Sequence, residues 1–183
     1  MTLIALTMNN IQDAEQGYPV MMADILISSR GGDGSMPTPT YMDGRKEIFS
    51  EANDYKPFGL NQKLYVINDR LCVALGGDVL QMERFLTKLR FIYDTLDFDN
   101  NDLWKFVNEF HSEEGRELDA IVLTAKQNED GGNDFQVHGV GTLRQIDSSL
   151  YGKVVAGGSG ARQFIDFIQT NPKFYSDITN TDA

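Results

Sequence analysis

One cysteine, two histidines and one tryptophan are spread over 183 residues, and 16 Lys and Arg face 27 Asp and Glu. Each scarcity excludes something. The lone Cys72 cannot form an intramolecular disulfide, which suits a reducing, cytoplasmic setting. It sits in the apolar run LCVAL and reads as a buried small hydrophobe rather than a catalytic thiol. His111 and His138 fall on separate elements without ligand spacing, so no metal and no other cofactor is expected. A net charge of −11 and a pI near 4.5 argue against nucleic-acid or membrane partners. No apolar run reaches the length of a membrane helix. The N-terminus has no Lys or Arg before its short apolar run, which ends at Asn9 and Asn10, so no secretory signal is expected.

What is present is ordinary for a folded protein: 41% apolar and 23% charged residues, enough for a single domain over 1–183. Residues 2–8 read as a strand, and YPVMMADILISS as a second extended segment. The stretch from Arg30 to Gln62, dense in Gly, Pro, Asp and Ser, reads as a long surface loop. Leu64–Ile67 and Leu71–Leu75 flank Asn68-Asp69 as a hairpin. Met82, Phe85, Leu86, Leu89, Ile92, Tyr93 and Leu96 recur at helical spacing. DFDNND breaks the chain, and Leu103, Phe106, Val107 and Phe110 mark a second helix capped near Asn101 or Asp102. ELDAIVLTAK, FQVHGVGTLRQI and GKVVAGG read as three strands, and ARQFIDFIQT as a third helix closed by Pro172. Strands grouped before and after a helix pair predict an α+β fold of antiparallel sheets with helices layered on them.

Most short motifs favour plain structural roles. GGDG at 31–34 lacks the Gly-Lys-Ser/Thr ending of a phosphate loop and reads as a loop. Asp97-x-Asp99-x-Asn101 has Asp102 where a calcium loop needs Gly and Asn108 where it needs Glu, so helix capping is favoured. No G-x-S-x-G elbow is present for a serine triad. GGSG at 157–160 opens a helix, either as an anion-binding turn or as a tight strand-to-helix connection.

Thr2 stands apart because the chain enters a strand immediately after it, whereas chain ends are ordinarily loose. A threonine hydroxyl is a poor nucleophile unless a base removes its proton, and an N-terminal threonine carries that base as its own α-amine. Such a site also needs a cation nearby, a carboxylate to hold the cation, and an N–H aimed at the developing oxyanion. Thr2, Lys63, Asp24 and Gly77, each at a strand end or turn, could fill these four roles.

On these residues the sequence resembles the N-terminal-nucleophile (Ntn) hydrolases, in particular proteasome β-type subunits and their bacterial relatives, over residues 2–171. TLIAL is similar to the family's opening Thr strand. GYPVMMADILISSRG is similar to its second strand, with Asp24 as the matching carboxylate and Ser28 or Ser29 as the other possible match. KLYVINDRLCVALGGD resembles the family's Lys, hairpin and Gly-Gly-acidic core without a gap.

The resemblance implies Thr2 as nucleophile once Met1 is removed, Lys63 as the tuning charge and Asp24 as its partner. It also implies an oxyanion hole at Gly77 and Ser159 beside the nucleophile. The implied fold is a four-layer α-β-β-α sandwich, and the implied assembly a homo-oligomeric ring or stack of rings. The implied activity is cleavage of a peptide or small amide substrate; the alternative is a non-catalytic structural or assembly subunit of the same fold. Two departures stand out: a longer Ser29–Lys63 connection, and NPKFYSDITNTDA in place of the closing helices and strands, which makes the C-terminal part look abbreviated.

Overall fold

Short apolar runs rich in Val, Ile and Leu, separated by Gly, Asn and Asp, build strands, and three longer stretches of helical period build helices. The computed structural model describes residues 2–8, 19–30, 55–95, 100–113, 115–129, 131–148 and 152–171. Met1, the 31–34 glycines, Asp97 and Asp99, Pro172 and the C-terminal segment of the sequence-based expectations lie outside these residues. The described strands are β1 (Ile4–Met8), β2 (Val20–Ala23), β3 (Leu26–Arg30), β4 (Tyr55–Leu60), β5 (Leu64–Asn68), β6 (Leu71–Gly77), β7 (Leu118–Gln127), β8 (Asn133–Val140), β9 (Arg144–Ser148) and β10 (Gly152–Gly157). The helices are α1 (Val79–Thr95), α2 (Asn100–Glu109) and α3 (Ala161–Thr170). No described helix is long and apolar enough to cross a membrane.

The strands form two four-stranded antiparallel sheets, ordered β2-β1-β10-β9 and β5-β6-β7-β8, with β3 and β4 as a separate antiparallel pair. Side chains on a strand alternate between its two faces, so a strand buried on both sides must be apolar throughout. β6 obeys this rule, and β1 departs from it only at Thr7, a buried polar side chain. Ile4 and Leu6 on β1 join Ala74 on β6, Ile121 on β7 and Val155 on β10 in one apolar cluster drawn from both sheets. The intervening Ala5 packs instead with Ala156, Ala161 and Ile165, bringing α3 onto the first sheet. Val73 and Leu75 on β6, with Ala120 and Val122 on β7, meet Met82, Phe85 and Leu89 of α1 and Leu103 and Val107 of α2. Full burial of a Leu or Ile is worth about 1.5–3 kcal/mol, so the β1 positions alone anchor the chain start firmly.

Local signals set the element ends. Asp78 caps α1, its Oδ1 accepting from the N–H groups of Leu80 (3.1 Å) and Gln81 (3.2 Å). In the β5–β6 hairpin the turn falls on Asp69 and Arg70, one residue later than expected. Asn68 Oδ1 accepts from the Arg70 N–H at 2.8 Å, an Asx turn that fixes this register. α2 starts at Asn100, so Asn101 and Asp102 lie in its first turn rather than before it.

Three sequence-based expectations need correction. YPVMMADILISS is two strands in different sheets, β2 beside β1 and β3 beside β4, parted at Asp24 and Ile25. FQVHGVGTLRQI is likewise split at residues 141–143 between β8 and β9, which belong to opposite four-stranded sheets. Tyr55–Leu60, expected within the long loop, forms β4.

Candidate active site

Thr2 stands just before the start of β1, an inner strand of the first sheet, where the β10–α3 turn meets it. The Thr2 N–H donates to Ser159 Oγ at 2.9 Å, and the Thr2 carbonyl accepts from the Gly160 N–H at 2.9 Å. Gly158 makes this approach possible. Its φ is +87°, and a Cβ there would stand 2.3 Å from the Thr2 carbonyl oxygen. The GGSG motif is therefore a clamp on Thr2 formed by residues more than 150 positions away in the chain.

Asp24 closes the other side. It follows β2, which pairs with β1 in the register Ile4↔Ala23. The Asp24 N–H donates to the Leu3 carbonyl at 3.0 Å, and the Leu3 N–H donates back to one Asp24 carboxylate oxygen. The other oxygen forms an ion pair with Lys63 Nζ. Because the Leu3 nitrogen belongs to the Thr2–Leu3 peptide bond, one carboxylate holds both that bond and the ammonium. Lys63 is only 3% exposed, and its carbonyl accepts from the Leu75 N–H at 2.8 Å, which ties it to β6. A buried ammonium is tolerated only when paired and hydrogen-bonded.

Gly77 ends β6 with φ +107°, and a Cβ there would lie 2.3 Å from the Glu117 carbonyl oxygen. No side chain fits that space. Gly77 shares the wall of an open cleft of about 500 Å³ with Thr2, Ser159, Arg144, Arg162 and Glu117. All five residues singled out from the sequence thus converge on β1 and its surroundings: Ser159 and Asp24 bond to the Thr2 main chain or its neighbour, Lys63 pairs with Asp24, and Gly77 faces the same cleft. Sequence reading missed Asp119, which also lines this cleft. An acidic residue at the head of the apolar run Ala120–Leu123 was the signal.

A larger cleft of about 840 Å³ lies between α1 and α2, lined by Phe91, Ile92, Phe106 and Phe110 with charged ends around them. It has no counterpart of the pinned Thr2 or the buried Lys63–Asp24 pair, so size alone does not make it the reacting site. His111 borders it and is exposed. His138 is buried on β8 against Trp104, with ring centroids 3.9 Å apart in an edge-on arrangement. Burial pushes its pKa below the usual histidine value, and neither ring nitrogen has a hydrogen-bond partner among the described residues. Cys72 is half-buried rather than fully buried, with Sγ 3.7 Å from Met21 Sδ; burial raises its pKa, away from a reactive thiolate. Among the described residues no group of three or more His, Cys, Asp or Glu could hold a metal ion.

Fold and cleft together define a mixed α/β protein with two antiparallel sheets and a polar site built around its second residue. No family model and no curated protein matches the chain. Among solved structures, eukaryotic HslV from Trypanosoma brucei is similar over 93% of this chain and 79% of that chain, with a TM-score of 0.48 and 15% identity. A likeness at that level assigns neither family nor activity.

Proposed function

We propose that the chain is a proteasome-like N-terminal-threonine hydrolase that cleaves amide or peptide bonds with Thr2 as nucleophile after Met1 is removed. One observation carries this: a single carboxylate, Asp24, binds the buried Lys63 ammonium and the peptide N–H that follows Thr2. A lysine buried at 3% exposure beside an N-terminal strand has no evident packing advantage over an apolar residue, whereas a nucleophile there needs the charge.

The chemistry follows from the placement. With Met1 gone, the Thr2 α-amine takes the proton of its own Oγ1 as the oxygen attacks the substrate carbonyl. The Lys63 charge favours the neutral amine and the ionising hydroxyl, and Asp24 orients Lys63. Ser159 Oγ, now 2.9 Å from the Thr2 nitrogen, steadies the amine. The Gly77 N–H stabilises the oxyanion. The amine then passes its proton to the leaving nitrogen, an acyl-Thr2 ester forms, and water hydrolyses it.

In this proposal residues 1–183 form one domain, and the helices and two sheets make the four-layer α-β-β-α sandwich of the Ntn hydrolases. The protein works in the cytoplasm as a homo-oligomeric ring whose cleft receives an extended peptide or a small amide. Hydrolysis of a panel of fluorogenic peptides and short acyl amides tests it. Cleavage by the native protein that vanishes in Thr2→Ala is expected. Equal turnover by both proteins contradicts the proposal, and inertness of both supports a structural subunit instead.

A further inference from the structure

Asp119 has no part in the chemistry above, yet it touches both sides of the cleft. It lies on β7 opposite Gly76, between the buried Leu118 and Ala120. Its Oδ2 accepts from the Gly158 N–H at 2.6 Å and its Oδ1 from the Thr142 N–H at 2.7 Å. Gly158 leads the turn whose Ser159 and Gly160 hold the Thr2 main chain. Thr142 lies in the turn between β8 and β9, where the chain crosses from one four-stranded sheet to the other. One side chain therefore joins three separate segments around Thr2.

Two main-chain donors on one carboxylate are charge-assisted bonds, short and strong compared with neutral ones. They occupy both oxygens, which suits a strut rather than a proton acceptor. The backbone is moulded to this side chain: a Cβ on Gly141 would stand 2.4 Å from Asp119 Oδ1, and one on Gly157 would stand 3.0 Å from Asp119 Cβ.

We propose that Asp119 is a positioning residue for Thr2, fixing the 158–160 turn so that Ser159 and Gly160 hold the nucleophile's nitrogen and carbonyl in reacting geometry. This rests on Thr2 being the nucleophile. Asp119→Asn keeps the size and one acceptor but presents an amide NH2 to one of the two donors.

A β-lactone that acylates an N-terminal threonine is the probe, applied to Met1-free wild type and variant and followed by intact mass. A misplacement near 1 Å costs up to about 10²-fold in rate, so Asp119→Asn is expected to lower the maximal acylation rate roughly 10- to 100-fold. The lactone concentration giving half the maximal rate stays near wild type, while the melting temperature falls by a few degrees as one charge-assisted bond is lost. A merely structural role would also lower the melting temperature but leave the acylation rate of folded protein unchanged, which overturns the proposal. Amide hydrogen exchange on wild type is the second measurement, and it stands even if the variant does not fold. The Gly158 and Thr142 N–H groups should be protected although both lie in turns; exchange at the rate of free turn amides also overturns it. A wild type that resists acylation removes the Thr2 proposal and this one with it, whereas acylated wild type with an equally fast variant removes this one alone.

Discussion

Removing Asp24 should cost more stability than removing Lys63, although both changes should abolish hydrolysis. The two partners differ in exposure: the Lys63 side chain is 4% exposed and that of Asp24 30%. Asp24→Ala leaves an ammonium in the interior without its carboxylate and takes the acceptor from the Leu3 N–H. Breaking a buried pair from one side costs about 3–5 kcal/mol, and the partial exposure of Asp24 places this case near the lower end, about 3 kcal/mol. For a chain of this length that corresponds to a melting temperature lower by about 6–12 °C. Lys63→Met replaces the ammonium with an apolar chain of similar length. Asp24 keeps its solvent access and the Leu3 N–H, so the cost is about 1 kcal/mol, or about 2–4 °C. Differential scanning calorimetry of the two variants beside wild type gives both numbers. An Asp24→Ala melting point within about 3 °C of wild type, or a larger loss in Lys63→Met than in Asp24→Ala, would refute the claim that Lys63 is a buried charge held by Asp24 (about half the smallest expected Asp24→Ala shift).

Other outcomes follow from the same structure. Gly158→Ala drives a Cβ into the Thr2 carbonyl, so it should cost about 1–3 kcal/mol and slow acylation of Thr2; wild-type values in urea titration and mass-spectrometric labelling would count against the clamp. His138 has its folded pKa lowered by burial, so the unfolded chain binds the proton more readily and stability falls as pH drops below about 6.5 towards the folded value. His138→Phe should remove that component, flattening the difference in urea stability between pH 7 and 5 (a window set by the ordinary histidine pKa of about 6.5); an unchanged slope contradicts it. The exposed Arg162–Asp166 pair on α3 should matter little, with Asp166→Asn changing stability by less than about 0.5 kcal/mol in the same assay.

Local periodicity made much of this fold legible. The β1 run, the β5–β6 hairpin and the apolar spacing of α1 and α2 depend on neighbours in sequence, and the structure forms each of them there, with the hairpin's turn one residue late. Long-range pairing was not legible. Val20 to Ile27 is almost continuously apolar, so nothing local separates β2 from β3; the break comes at Asp24, which turns aside to bind Leu3 and Lys63. β4 lies in a Gly- and Pro-rich stretch whose strand character depends on β3 beside it. At the β8–β9 crossing the Asp119 carboxylate holds the Thr142 N–H, a contact between residues 23 positions apart. The site shows the same division. Thr2, Asp24, Lys63 and Gly77 are legible as chemical types at strand ends or turns, whereas the bond from Thr2 to Ser159 spans 157 positions and no spacing rule reports it.

The most direct test of the central claim is the intact mass and peptide map of the natively expressed protein after exposure to a β-lactone. The proposal predicts loss of Met1 and a single acyl adduct on Thr2, absent from Thr2→Ala. Retained Met1 with no adduct, or an adduct that survives Thr2→Ala, would contradict it.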